Sequence, residues 1–227
     1  MIMQWPVEGP FLRDELRRLP GTEKPSAIDK QLALTDVWLD GDGLQGDRVA
    51  DRRFHGGPDR SVCHYPAEHY HRWRHAFPHL QTLGPAAFGE NLSTTGLDER
   101  HVCIGDRFRW GDALLEVSQP RSPCSNLDRR HNAPGLARHL AKSGRTGWLY
   151  RTLEPGTVHF GAELCLIERP FPTESVLRVW RSLSDDATSD AELARLQDLQ
   201  PLAGEYRIRF RTRLDARRRL QDQGTLF

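Results

Sequence analysis

From residue 25 to residue 168 the chain alternates short apolar runs with Gly, Pro and Asp. Alternation of period two over a few residues marks a half-buried strand, and the Gly and Pro positions mark the turns between strands. Strand-sized runs fall at 26–28, 32–39, 61–64, 101–104, 107–110, 113–118 and 163–168, with Gly-Asp turn pairs at 41–42, 46–47, 105–106 and 111–112. The stretch GDRFRWGD followed by ALLEVS predicts a hairpin with alternating faces. Two segments read as helices: 66–77, with Pro66 at its start and aromatic residues at helical spacing, and 135–142, which stops near Gly144. Many short strands and few helices favour a barrel or a sandwich, and spacing alone does not choose between them.

The pattern changes after Arg169-Pro170-Phe171-Pro172. Helical periodicity covers 173–183, 190–196 and 204–220, with Thr173 and Asp190 placed as N-caps. In the last segment Arg207–Leu214 alternates like a strand, yet Tyr206, Phe210, Leu214 and Arg217 form a helical stripe and arginine is a good helix former, so a helix is expected. The division is a mainly β domain at 1–168 (core about 23–168) and a three-helix domain at 172–227.

Composition narrows the function classes. A net charge of +1 gives no bulk attraction to nucleic acid or to an anionic membrane. No run approaches the roughly 20 apolar residues of a membrane span, and the N-terminal stretch lacks a basic-then-apolar leader, so a cytoplasmic location is expected. Four dispersed cysteines, with no CxxC pair, fit neither a zinc ribbon nor a disulfide framework.

Three segments carry candidate chemistry. In SQPRSPC, Pro120 and Pro123 lock the backbone around Cys124 and are expected to end the strand at Ser118, while Arg121 sets a permanent charge near the thiol and favours the thiolate that binds metals. In HGGPDR, Gly56 and Gly57 allow close backbone approach to a ligand and an anion-binding nest, with His55 and Arg60 as donors. In FGENLSTTG, Asn91 can donate to and accept from the edge of a heterocycle. Each alone also fits a bland role: a small core cysteine, a Gly-Pro turn, a self-bonded Asn. His71 and His75 share a helical face but lack the HExxH arrangement, so a solvated face is expected, and the arginines of 207–219 read as the polar side of a packing helix.

In this order HGGPDR, FGENLSTTGL and SQPRSPC resemble the MOSC family, named for the C-terminal domain of molybdenum cofactor sulfurase, and within it the bacterial YiiM-type members. Lys24-Pro25-Ser26-Ala27-Ile28, His64-Tyr65-Pro66 with Glu68-His69-Tyr70, Gly105-Asp106 with Arg109-Trp110-Gly111, and Gly147-Trp148-Leu149-Tyr150 extend the resemblance over about residues 23–168. The helical tail matches in position more than in residues.

The resemblance implies a MOSC-type β-barrel followed by a small helical domain. It also implies a molybdenum cofactor (a molybdenum–molybdopterin) ligated by Cys124, and reduction of N-hydroxylated bases such as 6-hydroxylaminopurine to amines. Arg121, His55, Gly56 and Gly57 would hold anionic and polar groups of the cofactor, and Asn91 would contact the pterin or an oxo ligand. Asp59 would orient its loop, and Lys24 and Ser26 are weaker binding candidates. Cys63, Cys103 and Cys165 have no implied role. No flavin or nicotinamide fingerprint is visible, so an external flavoprotein or iron–sulfur protein is the expected electron donor. The competing readings are a sulfur carrier using a Cys124 persulfide, a non-catalytic cofactor carrier, and a cysteine hydrolase with His55 or His131 as base, for which no oxyanion signature is visible.

Overall fold

The computed structural model describes residues 3–224; the outermost residues of the two expected domains, 1–2 and 225–227, lie outside the described residues. Short ladders come first: β1 (Met3–Trp5), β2 (Phe11–Leu12), β3 (Arg17–Arg18), β4 (Pro25–Ser26), β5 (Gln31–Leu32), β6 (Val37–Asp40) and β7 (Gly43–Leu44). A helical turn α1 (Arg52–His55) leads to β8 (Val62–His64) and α2 (His69–Ala76). The central hairpin β9 (Arg107–Trp110) and β10 (Ala113–Pro120) follows, then α3 (Asn126–His131), α4 (Leu136–Ser143), β11 (Trp148–Glu154), β12 (Gly156–Val158) and β13 (Leu164–Glu168). The tail is α5 (Val176–Arg181), α6 (Asp190–Gln197) and α7 (Gly204–Gly224).

The largest sheet has the order β1-β13-β9-β10-β11-β8, every neighbour antiparallel, and curls into a half-barrel beside a second sheet of order β12-β6-β7. Its alternation is the one read from the sequence. Phe108 and Trp110 point inward and are essentially fully buried, while Arg107 and Arg109 point outward to Glu116, Glu168 and Glu154. The fold is thus mainly β with helical additions, as expected.

One hydrophobic cluster joins Leu115, Val117, Trp148 and Tyr150 of the sheet to Val176, Leu193, Tyr206, Phe210 and Leu214 of the tail. The ambiguous last segment is a helix because its stripe pays off: Tyr206, Phe210 and Leu214 are fully buried, each contributing about 1.5–3 kcal/mol. A second cluster, Tyr65, Tyr70, Trp73, Phe88, Leu127, Leu136 and Leu140, packs α2, α3 and α4 together.

Several expectations are corrected. Residues 32–39 do not form one strand: Leu34 is exposed, the Ala33 amide donates to Pro10, and the Asp36 carboxylate takes the Phe160 amide and His159, which turns the chain before β6. Residues 101–104 form a turn, because the Asp98 main-chain oxygen accepts the amides of His101 and Val102 and the Asp106 carboxylate accepts that of Cys103. The caps of α5 and α6 are Ser175 and Ser189, whose hydroxyls accept the amides of Arg178 and Glu192, in place of Thr173 and Asp190. The helix expected at 66–77 narrows to α2. Strands β1, β2, β3, β7, β11 and β12 and the helices α1 and α3 were not expected. Nor does β10 stop at Ser118: it runs through Pro120, which lies opposite Trp148.

Candidate functional site

The Cys124 segment is a corner between a strand and a helix. A register shift between Val117 and Gln119 lets the Ser118 hydroxyl reach the main-chain oxygens of Asp59 (2.6 Å) and Leu149 (3.0 Å). Beyond it the Arg121 amide donates to Gly147 at 3.0 Å, and the Pro120 carbonyl accepts the Tyr206 hydroxyl at 2.8 Å. The Cys124 carbonyl then accepts the Leu127 amide at 3.1 Å and opens α3, whose Leu127 is fully buried. Cys124 itself is half-buried, held at both ends of its segment by main-chain bonds, and is a free thiol.

The glycine loop joins α1 to a short turn at Pro58–Arg60, and Gly57 takes φ +100°, where a side chain would be strained. Asp59 is held by Arg151 (2.7 and 2.9 Å), while Arg60 pairs with Glu205 of α7. The His55 imidazole is pushed below its ordinary pKa by desolvation and by the charges of Arg121, Arg60 and Lys30, against the opposing pull of Asp51.

The third loop is organised by Glu90, fully buried, whose carboxylate accepts from the Tyr70 hydroxyl, the amides of Ala86 (2.7 Å) and Phe88 (3.0 Å), and the Ser93 hydroxyl (3.2 Å). The Asn91 side chain is spent on structure. Its amide donates to the Phe11 carbonyl (3.0 Å) and the Asp47 carboxylate (2.8 Å), and its oxygen accepts the Cys63 amide (2.9 Å). Lys24 stands exposed beside β4, and the buried Ser26 hydroxyl accepts the Ile28 amide at 3.2 Å.

Arg121 brings these loops together. Its Nη2 donates to the main-chain oxygen of Phe88, and its Nη1 is buried with no hydrogen-bond partner. Burial opposes its charge, yet its pKa is kept above the ordinary arginine value by the groups around it, Cys63 and the Glu90 carboxylate foremost. Burial pushes the Cys63 thiol up, against the pull of Arg121 and Lys30.

Sequence reasoning missed three cations nearby. Lys30 pairs with Asp47 beneath Asn91, and both side chains are over nine-tenths buried. Arg13 and Arg130 both reach Asp29, through its carbonyl (3.4 Å) and its carboxylate (2.8 Å). Arg13 is 4% exposed; its Nε and Nη2 have no hydrogen-bond partner, Glu15 standing 3.6 Å from Nη2, and Arg130 Nη1 has none either. Buried guanidinium nitrogens left without hydrogen bonds are costly, so these orphaned donors fit an anionic group. The only cue in the sequence is their positive charge; burial singles them out. Among the described residues no group of three or more His, Cys, Asp or Glu side chains could cage a metal ion, and His71 and His75 are exposed.

The family model for the MOSC domain matches residues 51–164, half of the chain. The chain belongs to the MOSC-domain family. Its MOSC region takes in the glycine loop, Glu90, Asn91, Arg121 and Cys124, and leaves Arg13, Lys30 and the α7 residues Glu205 and Tyr206 outside. Protein YiiM of Escherichia coli K12 is 49% identical over 152 residues, 64% of this chain and 66% of that protein, so the alignment falls just short of two thirds of the relative. A Gibberella moniliformis protein described as a reductase is 42% identical over 71% of this chain and 29% of its own length. The crystal structure of Escherichia coli YiiM superposes with a TM-score of 0.75 at 34% identity, covering 94% of each chain.

Proposed function

We propose that the chain is a molybdenum-cofactor-dependent reductase that converts N-hydroxylated bases and related compounds to amines, with Cys124 as the protein's metal ligand. The observation that carries this reading is Arg121, three residues before Cys124, whose buried Nη1 has no hydrogen-bond partner; Arg13 and Arg130 carry further orphaned nitrogens. MOSC membership and the likeness to a protein described as a reductase support it further.

The donor set suits a pterin that carries a soft metal and an anionic tail: the Cys124 thiolate would hold the metal, and Arg121, Arg13 and Arg130 would take the anionic groups. Bound there, the molybdenum centre supplies the two-electron oxygen-atom chemistry that N–O reduction requires. The balance is a hydroxylamine plus two electrons and two protons giving an amine and water, with the N–O bond broken. The electrons come from an external flavoprotein or iron–sulfur protein. His55, its pKa lowered by desolvation and by Arg121, is the candidate proton carrier toward the site.

The test is metal and pterin analysis of protein made in a host with the cofactor pathway. Stoichiometric molybdenum that disappears in Cys124→Ala and persists in Cys63→Ala, with reduction of 6-hydroxylaminopurine by an artificial donor, is the expected result. Sulfane sulfur on Cys124 without metal would replace this reading with a sulfur carrier. Stoichiometric metal and pterin without reduction would replace it with a cofactor carrier.

A further inference from the structure

The helical tail holds the Cys124 segment where the sheet's own bonding gives out. Pro120 and Pro123 lack backbone donors, and beyond β10 the last bond to the neighbouring strand region is that of the Arg121 amide to Gly147. The next main-chain anchor is the Cys124 carbonyl, which accepts the Leu127 amide and opens α3. Ser122 and Pro123, between these anchors, make one hydrogen bond among the described residues: the Ser122 hydroxyl meets the Tyr206 hydroxyl of α7 at 3.0 Å.

The Tyr206 hydroxyl carries one proton, and the Pro120 carbonyl, 2.8 Å away, accepts it. At the 3.0 Å contact the Ser122 hydroxyl is therefore the donor and the tyrosine oxygen the acceptor, so one ordered relay runs from Ser122 through Tyr206 to Pro120. Tyr206 is fully buried, and desolvation lifts its pKa to about 12, so the relay keeps its proton throughout the neutral range.

Neighbouring residues of the tail hold the same region. The Ala203 amide, just before α7, donates to the Ser118 carbonyl at 2.9 Å, and Glu205 pairs with Arg60 beside the glycine loop. The family model ends at residue 164, so all of these tail groups lie outside the MOSC region. Packing by itself does not call for the Tyr206 hydroxyl: the ring fills the buried stripe with Phe210 and Leu214, and a phenylalanine ring would fill it equally. What the hydroxyl adds is a fixed position for Ser122, two residues from Cys124.

We infer that Tyr206 is a positioning residue for Cys124: its hydroxyl, acting through Ser122 and Pro120, sets how the thiol is presented, and the helical tail is thereby a component of the site. The inference rests on the proposed function only for what Cys124 holds, because the thiol itself is measured on the full chain prepared without cofactor. The measurement is the rate at which iodoacetamide alkylates native Cys124. Mass spectrometry of its own peptide separates that thiol from the other three free cysteines, Cys63, Cys103 and Cys165.

Tyr206→Phe deletes the hydroxyl and Ser122→Ala deletes its partner; Ser122 is exposed, so its variant keeps the test open should Tyr206→Phe not fold. Each should be alkylated at least about threefold faster, the half-buried thiol no longer being held, and the double variant no faster than the quicker single one, since both break one relay. Phe210→Leu, which loosens the same buried stripe without touching the relay, should be alkylated at the normal rate. Unchanged alkylation in both single variants, effects that multiply in the double variant, or an equal rise in Phe210→Leu would overturn the inference. The expected changes in a protein that never acquires molybdenum would leave the inference standing and remove the reductase reading.

Discussion

The Arg121 guanidinium donates to the main-chain oxygen of Phe88, fastening the segment that carries Cys124 to the loop that Glu90 organises. One side chain thus links two motifs that lie far apart in sequence, and it keeps a second nitrogen unpartnered.

Arg121→Met removes both the tie and the buried charge. A hydrogen bond to a charged group contributes about 1.5–3 kcal/mol, but loss of an unsatisfied buried donor offsets part of this, so urea unfolding of the cofactor-free variant should shift by no more than about 2 kcal/mol. Molybdenum retained on purification should fall roughly 10–100-fold, the range for groups that orient a ligand. A large stability loss with normal metal content would show that Arg121 only packs.

Asn91, a cofactor candidate by its motif, makes three hydrogen bonds that tie its loop to Phe11, Asp47 and Cys63. Asn91→Ala abandons three hydrogen bonds of 2.8–3.0 Å, strands the buried Asp47 side and should cost about 3 kcal/mol in chemical denaturation. That loss should be the same with and without cofactor. A variant of normal stability that fails to take up cofactor would reverse the assignment.

His64 predicts an acid limit. It is fully buried against Trp148, bonded to the Tyr150 hydroxyl (3.0 Å) and the Thr94 hydroxyl (2.9 Å), and desolvation holds its pKa well below the ordinary 6.5. The unfolded chain therefore binds a proton that the native state refuses. Stability contributed by the neutral imidazole is complete above about pH 6.5 and is lost as pH falls toward the depressed native value, at up to about 1.4 kcal/mol per pH unit. Unfolding followed between pH 7 and pH 5 should show this slope, and His64→Gln should flatten it.

Gly147 marks the closest backbone approach near the site. At φ +71°, a Cβ there would stand 2.3 Å from the His64 carbonyl, where β8 and β11 pair. Gly147→Ala should cost more than about 2 kcal/mol, since it adds a clash with backbone to the conformational penalty. Gly96→Ala is the control: φ +84° with open space around it should cost only about 1 kcal/mol. Equal thermal shifts for the two variants would contradict this account.

Much of the fold was legible locally. The RFRW and ALLEVS runs declare their faces through period-two alternation, and Tyr206, Phe210 and Leu214 declare a helix because only that geometry stacks them into one buried stripe. WLYRTLE escaped because its last three residues, partly or wholly exposed, blur the alternation, and α3 because its short polar sequence buries only Leu127. Caps shifted by a residue or two where a serine lay beside the residue first chosen.

The candidate site divides the same way. Cys124, Arg121, the paired glycines and His55 announce themselves by residue type and by order, since thiolates, fixed cations and strain-free turns are local chemistry. Arg13, Arg130, Lys30 and Glu205 carry no such mark. An exposed arginine and a buried one are written with the same letter, and a side chain's partners come from segments that only folding brings near. The sequence by itself determined which chemistry the chain can offer. The tertiary structure decided which charges lose their water, which polar atoms are left without partners, and hence where a ligand would be stabilised.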